Sequence, residues 1–263
     1  MGITTLTNEF IGPPLGGALA ALSLAFAFAT SSALYLAVAV AIFAMAGSYR
    51  PAVIGKTPFA SDIMDGLRYV WNDRLLRTLV LIVAVMNLGW SAWASIMVLY
   101  VVKPGLGGLT ELEYGLMLTS IGIGGLLGTV IAVPFLERFG RRWAIGADIL
   151  GTFIMLAVPA LTANAWWVGA AAVIGGIGST MWGIVVSSIR QQRVPDEMLG
   201  RTSGVFRVFG YGALPVGAAL AGFVAEGAGI PAVFALCAVL ILLLLIPFAR
   251  DITPAALKRK HEE

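Results

Sequence analysis

Five side chains stand out as able to do chemistry in an otherwise apolar chain: Asp148, Asn87, Trp90, Ser91 and Trp182. Asp148 is the one acid well inside a long apolar block, six residues past Arg142, so about 9 Å along a helix at roughly 1.5 Å per residue. A carboxylate at the centre of a bilayer costs about 2.5–3.5 kcal/mol on insertion scales, less near the interface, and is retained where it does work. Two roles fit it equally, a proton or substrate site and an ion pair with a nearby arginine. Asn87, Ser91 and Ser95 form a polar stripe at helical spacing with Trp90 beside it, and Trp182 sits among Gly175, Gly176, Gly178 and Gly183. Polar atoms facing lipid cost free energy, so these positions must turn toward another helix or a cavity. Substrate contact and interhelical bonding both satisfy that requirement.

Enzyme chemistry finds no comparable set. The sole histidine, His261, lies in the hydrophilic tail, so neither a Ser-His arrangement nor an HExxH zinc site can form within the apolar blocks. A phosphate-binding glycine loop with its lysine is missing too, and no cofactor or metal is expected. Cys237 is the only cysteine, which rules out an intrachain disulfide. It reads as a small lipid- or core-facing residue.

The elements that hold these side chains follow from composition. Of 263 residues, 59% are hydrophobic and 12% charged, with a mean hydropathy of +0.92. Soluble domains carry about 25% charge, so lipid is the solvent. Charge-free blocks run Phe10 to Tyr49, Thr78 to Val102, Tyr114 to Leu136, Ile149 to Ile189, Val208 to Ala225 and Gly227 to Ala249. The first is long enough for two helices, joined near Thr30, Ser31 and Ser32, as is the fourth, hinged at Asn164. This predicts an all-α, polytopic bundle of about eight spanning helices. The 32 glycines suit helices that pack closely through small residues, and Ser120, Gly124 and Gly128 form a stripe that packing alone explains. Met1 to Phe10 shows neither a basic n-region nor a cleavage site, so no signal peptide is expected.

Charge placement then sets orientation. Arg50, Lys56, Arg68, Arg74 and Arg77 precede the third expected helix, and Arg138, Arg141 and Arg142 follow the fourth. Arg190, Arg193, Arg201 and Arg207 flank the six-to-seven connection, and Arg250, Lys258, Arg259 and Lys260 form the tail. Only Lys103 of the 17 lysines and arginines falls on the other side. Basic residues in short loops mark the cytoplasm, so both termini are expected there, in the plasma membrane. Ser61 to Trp71 has helical apolar spacing but is too polar to span, which predicts an amphipathic connector on the membrane surface.

One repeat organises the chain. Pro14-Leu15-Gly16-Gly17-Ala18-Leu19-Ala20 matches Pro215-Val216-Gly217-Ala218-Ala219-Leu220-Ala221 at five of seven positions, six expected helices apart. Paired six-helix repeats are the plan of one large class of transporters. Glu137-Arg138-Phe139-Gly140-Arg141-Arg142 is similar to the D-R-x-G-R-R core of the major facilitator signature, in the degenerate copy between that family's eighth and ninth helices. Gly12-Pro13-Pro14-Leu15-Gly16-Gly17 resembles the G-P-x-x-G-G antiporter motif of its fifth helix. The stretch Arg190 to Gly210 resembles the segment before the eleventh helix in drug and siderophore exporters. Departures are Glu137 for aspartate and Val133 where the full signature has its first glycine.

The resemblance implies the last eight helices of that fold without the first four. Residues 1–49 would hold the last two helices of the N-terminal bundle and 50–74 the cytoplasmic linker. Residues 75–249 would form the six-helix C-terminal bundle and 250–263 a cytoplasmic tail. It further implies proton-coupled efflux of a small organic compound by alternating access. Gly12, Pro13, Gly16 and Gly17 would be a pivot, and Glu137 to Arg142 a cytoplasmic latch in which Arg138 and Arg141 approach Glu9. Its partners would be the bilayer, protons and a small molecule, with no nucleic acid, and its oligomeric state is not readable. The other reading is an inactive or accessory membrane fragment of such a transporter.

Overall fold

With no water to bond to, backbone N–H and C=O groups in lipid must be paired within the chain, which favours helices. The computed structural model describes residue 19, residues 23–44 and residues 59–257, and among these residues it contains helices and no strand. In chain order they are α1 (Leu24–Ala44), α2 (Phe59–Asn72), α3 (Arg74–Val101), α4 (Glu111–Leu161), α5 (Ala165–Arg193), α6 (Asp196–Ala228), α7 (Ile230–Leu243) and α8 (Leu245–Asp251). Across a turn at Leu244, α7 and α8 run on as a single apolar segment of 22 residues.

Five of these helical segments are long and apolar enough to cross a membrane: α3, α4, α5, α6 and the joined α7–α8. That number falls short of the expected eight at two places in the chain. First, α4 has 51 residues, about 77 Å at 1.5 Å per residue, more than twice a hydrocarbon core of about 30 Å. It is broken at Gly140 (φ 80°, ψ 172°), in the left-handed half of backbone space where glycine carries no Cβ penalty. Its arms, 111–139 and 141–161, are each of spanning length. Second, the block from Phe10 to Tyr49 contributes α1, which runs unbroken through Thr30, Ser31 and Ser32, the expected join between two helices, while most of the stretch before α1 lies outside the described residues, as do the antiporter-like motif and Glu9. Apolar side chains of α1 stay exposed on nearly every side, Tyr35 at 78% and Phe43 at 90%.

Two expected loops are in fact helix. Glu137 to Arg142 is not a loop but helix on either side of the one-residue break at Gly140. The basic stretch from Arg190 is interrupted only by Val194 and Pro195, where the missing proline N–H ends one helix and Asp196 begins the next. The amphipathic connector forms as α2, but its apolar side divides. Val70 is buried and Gly66 abuts the Arg201 carbonyl, whereas Ile63 and Met64 remain exposed.

Packing sorts the long helices into two tight pairs, α4 with α5 and α3 with α6, with α7 lying against α3, α4 and α6. Glycine makes the first pair. A Cβ on Gly124 would strike the Val173 carbonyl, one on Gly176 the Ile121 carbonyl, and one on Gly128 would stand 2.9 Å from the Ile177 oxygen. The small stripe of α4 is therefore a backbone-to-backbone contact, as expected. In the second pair Gly217 meets the Leu88 carbonyl, and Ser91 Oγ donates to the Leu214 carbonyl at 2.6 Å. Contacts of α3 with α4 and α5 are sparse by comparison. A seam runs between the pairs.

Candidate functional site

Within that seam lies a cavity of about 220 Å³. From α3 it receives Asn87, Trp90 and Trp93, from the second arm of α4 Asp148 and Thr152, and from α5 Ser179 and Trp182. Four of the five residues singled out from the sequence thus meet at one place. The fifth, Ser91, faces α6 instead through its bond to Leu214. Ser95 bonds back to Ser91 and Ala92 of its own helix.

Local sequence explains each placement. Asp73 caps α3, its Oδ1 accepting from the backbone N–H of Leu75 at 3.0 Å and of Leu76 at 3.2 Å; this fixes where α3 starts and so the depth of Asn87 and Trp90. Asp148 is 3% exposed. It fits there because α5 offers glycine opposite: a Cβ on Gly178 would lie 2.7 Å from the Asp148 Cα and 3.0 Å from its Oδ1. Asn87 is held from the far side by Gly210 of α6, where a Cβ would stand 3.0 Å from its Nδ2.

No described arginine pairs with Asp148. Arg141 donates to Gln192 Oε1 at 2.8 Å, Arg142 lies over the Phe248 ring at 5.5 Å and Arg138 over Phe139 at 5.8 Å. The carboxyl therefore shares the cavity with hydroxyl, amide and indole groups. Trp93, absent from the residues picked out above, adds a donor. Its ring stacks on Trp90 at 5.5 Å, and its buried Nε1–H has no partner among the described residues. A native buried donor without a partner asks for an explanation, and a ligand or water in the adjoining cavity supplies one. Its spacing was a usable signal, one turn from Trp90, as was that of Thr152, four residues from Asp148.

At the basic end, ionic contacts tie the bundle together. Arg193 Nε donates to Asp73 Oδ2 at 2.7 Å, joining α5 to the start of α3 across the seam. Arg193 also donates to the Ala256 carbonyl at 3.0 Å, and Tyr69 donates to the Arg193 carbonyl at 3.3 Å. Burial and the Asp73 charge hold the Tyr69 phenol above its ordinary pKa, with Arg193 acting against them. Arg74 and Thr78 both reach Asp251, at 2.6 Å and 2.7 Å. The latch expected between Arg138 or Arg141 and Glu9 involves a residue outside the described ones; Arg141 contacts Gln192. Gly140 is the kink itself, with Glu137 in the turn before it.

Comparison with known proteins adds the family. The profile of a family described as transmembrane secretion effector matches residues 5–258. The multidrug efflux pump Tap of Mycolicibacterium fortuitum is 26% identical over 174 residues, 66% of this chain and 42% of that protein. Tap of Mycobacterium tuberculosis (strain ATCC 25618 / H37Rv) is 27% identical over 178 residues, 66% of this chain and 41% of the relative. The fosmidomycin resistance protein of Escherichia coli is 35% identical over 119 residues, 44% of this chain and 28% of its own length. The chain thus spans about two fifths of the length of the Tap proteins it matches.

Proposed function

This chain belongs to the transmembrane secretion effector family, within the major facilitator superfamily, and we propose that it takes part in proton-coupled export of a small organic compound, with the cavity at Asp148 as the working site. The chain would supply the last eight helices of the fold. Its basic end would face the cytoplasm, the two arms of α4 counting as separate spans. Export is proposed because the relatives it resembles are an efflux pump and a resistance protein.

One observation carries the reading. Asn87, Trp90, Asp148 and Trp182 come from three helices and converge on one cavity, at the seam between tightly packed pairs. A carboxyl in such a place can take up a proton from one side and release it to the other as access alternates, with the aromatic and amide groups holding the cargo.

The test uses the chain reconstituted in liposomes with an imposed pH gradient and Lucifer yellow, a fluorescent organic anion, as transported probe. Export is expected from the native chain, with Asp148→Asn reducing it at least tenfold at equal reconstituted amount, and Asp148→Glu restoring part of it. Gradient-driven export unaffected by Asp148→Asn would overturn the role of Asp148. No export from either would leave the reading of an inactive or accessory fragment.

A further inference from the structure

A second cavity, of about 330 Å³, adjoins the first toward the basic end and shares Val83, Asn87 and Trp182 with it. Its remaining walls include Ser187 and Arg190 of α5 and Phe206, Arg207 and Tyr211 of α6. Two guanidinium groups face one space. Neither has a carboxylate partner among the described residues, although Arg193, one turn beyond Arg190, pairs with Asp73, and Arg74 pairs with Asp251. Arg190 lies 4.9 Å over the Phe206 ring, which fixes the plane of its guanidinium, and its Nε–H is buried without a hydrogen-bond partner.

Marking the cytoplasmic side needs only that positive charge lie near the interface. It does not need two arginines converging on a cavity, one with a buried donor left open. Like charges that share a partly dry space repel, and Arg190, whose Nε–H is buried, loses water without a counter-charge in return. An anion entering between them relieves both, and guanidinium forks match the oxygens of carboxylate, phosphate and phosphonate groups.

We infer that Arg190 and Arg207 form an anion subsite at the basic mouth of the seam, binding the carboxylate, phosphate or phosphonate of a soluble organic anion whose apolar body extends toward Trp182. Ser187 and Tyr211 offer further hydroxyls there, and the shared residues carry the space on to Asp148. The cargo class in this inference rests on reading the seam as the transport path. The subsite itself is tested without transport.

Ser187→Cys in a Cys237→Ala background of the full chain puts the chain's one thiol in this cavity. Purified in neutral phosphatidylcholine nanodiscs, it is labelled with a sulfonate-bearing and with a trimethylammonium-bearing methanethiosulfonate. The expected result is a preference of about tenfold for the anionic reagent, relative to the same pair at Leu106→Cys in the opposite loop, at the low end of what a charged cleft produces. Arg207→Gln, at an exposed position that leaves folding intact, should remove most of the preference. Arg207→Lys should keep most of it. Millimolar methylphosphonate should slow labelling severalfold while tetramethylammonium does not. Equal rates for the two reagents, or a preference untouched by both Arg190→Gln and Arg207→Gln, would overturn the subsite. Slowing by phosphatidylglycerol in the nanodisc without slowing by methylphosphonate would overturn it in favour of a lipid headgroup. If Asp148→Asn abolishes neither export nor the labelling preference, the Asp148 reading falls and the subsite stands. Export that persists without any labelling preference gives the converse.

Discussion

The interface between α4 and α5 and the seam between α3 and α5 are built from the same kind of helix, yet they do opposite things. In the first, Gly124, Gly128 and Gly176 bring backbone against backbone. In the second, large and polar side chains hold the helices apart around a cavity, and closure comes at the basic end, where Arg193 reaches Asp73. Helices in lipid gain little from apolar burial against one another, so close packing of small residues joins them. Where small residues give way to Trp90, Asp148 and Trp182, the joint loosens and space for a ligand appears. The comparison therefore assigns rigidity to the pairs and adjustment to the seam.

Gly124→Leu is the sharpest way to break this contrast. With the Val173 carbonyl where its Cβ must go, it should cost about 3 kcal/mol or more, read as loss of folded protein in detergent thermal unfolding. A mild effect would mean that the pairs are not rigid. Asp73→Ala should come next. It removes both the α3 cap and the partner of Arg193, whose side chain is 19% exposed, and should lower stability by about 2–3 kcal/mol. Adding Arg193→Gln to it should cost no more than the further hydrogen bond to the Ala256 carbonyl, about 1 kcal/mol, because the Asp73 contact is already gone; fully additive losses would show two separate roles. Asp65→Asn breaks a 3.4 Å pair with Arg201 in which the acid is 53% exposed, and should change stability by no more than about 1 kcal/mol. Smallest of all, Gly183→Ala on the seam meets nothing within 4 Å and should be neutral or gain up to about 1 kcal/mol from helix propensity. Damage from Gly183→Ala equal to that from Gly124→Leu would erase the distinction between pair and seam.

How much of this was legible in the sequence follows from what each signal measures. Apolar length and basic residues located the spanning blocks and the basic end, because lipid imposes those rules residue by residue. Asp148, Asn87, Trp90 and Trp182 were recoverable because a polar or amphipathic group in an apolar block has few places to go. Their convergence was not, since it depends on which helices pair, and the sparse α3–α5 contact leaves no local trace. Ser91 shows the limit: it has the same spacing as Asn87 and Ser95, yet its hydroxyl turns to the Leu214 carbonyl. The kink at Gly140 was hidden for another reason. Polar residues such as Glu137, Arg138 and Arg142 read as loop, but helix tolerates them where they reach water, and one glycine makes the turn. Likewise, Arg190 and Arg207 read as interfacial charge, since nothing in their spacing marks the cavity between them.

The account rests on the seam being an accessible cavity that responds to the proton gradient through Asp148. Ser179→Cys in a Cys237→Ala background places a thiol on its wall, in liposomes where a small neutral maleimide can be timed. The account predicts that Ser179→Cys is labelled, that an imposed pH gradient changes its rate at least threefold, and that Asp148→Asn removes this change while leaving the thiol reactive. A rate indifferent to the gradient in the native background, or a gradient response that survives Asp148→Asn, would contradict it.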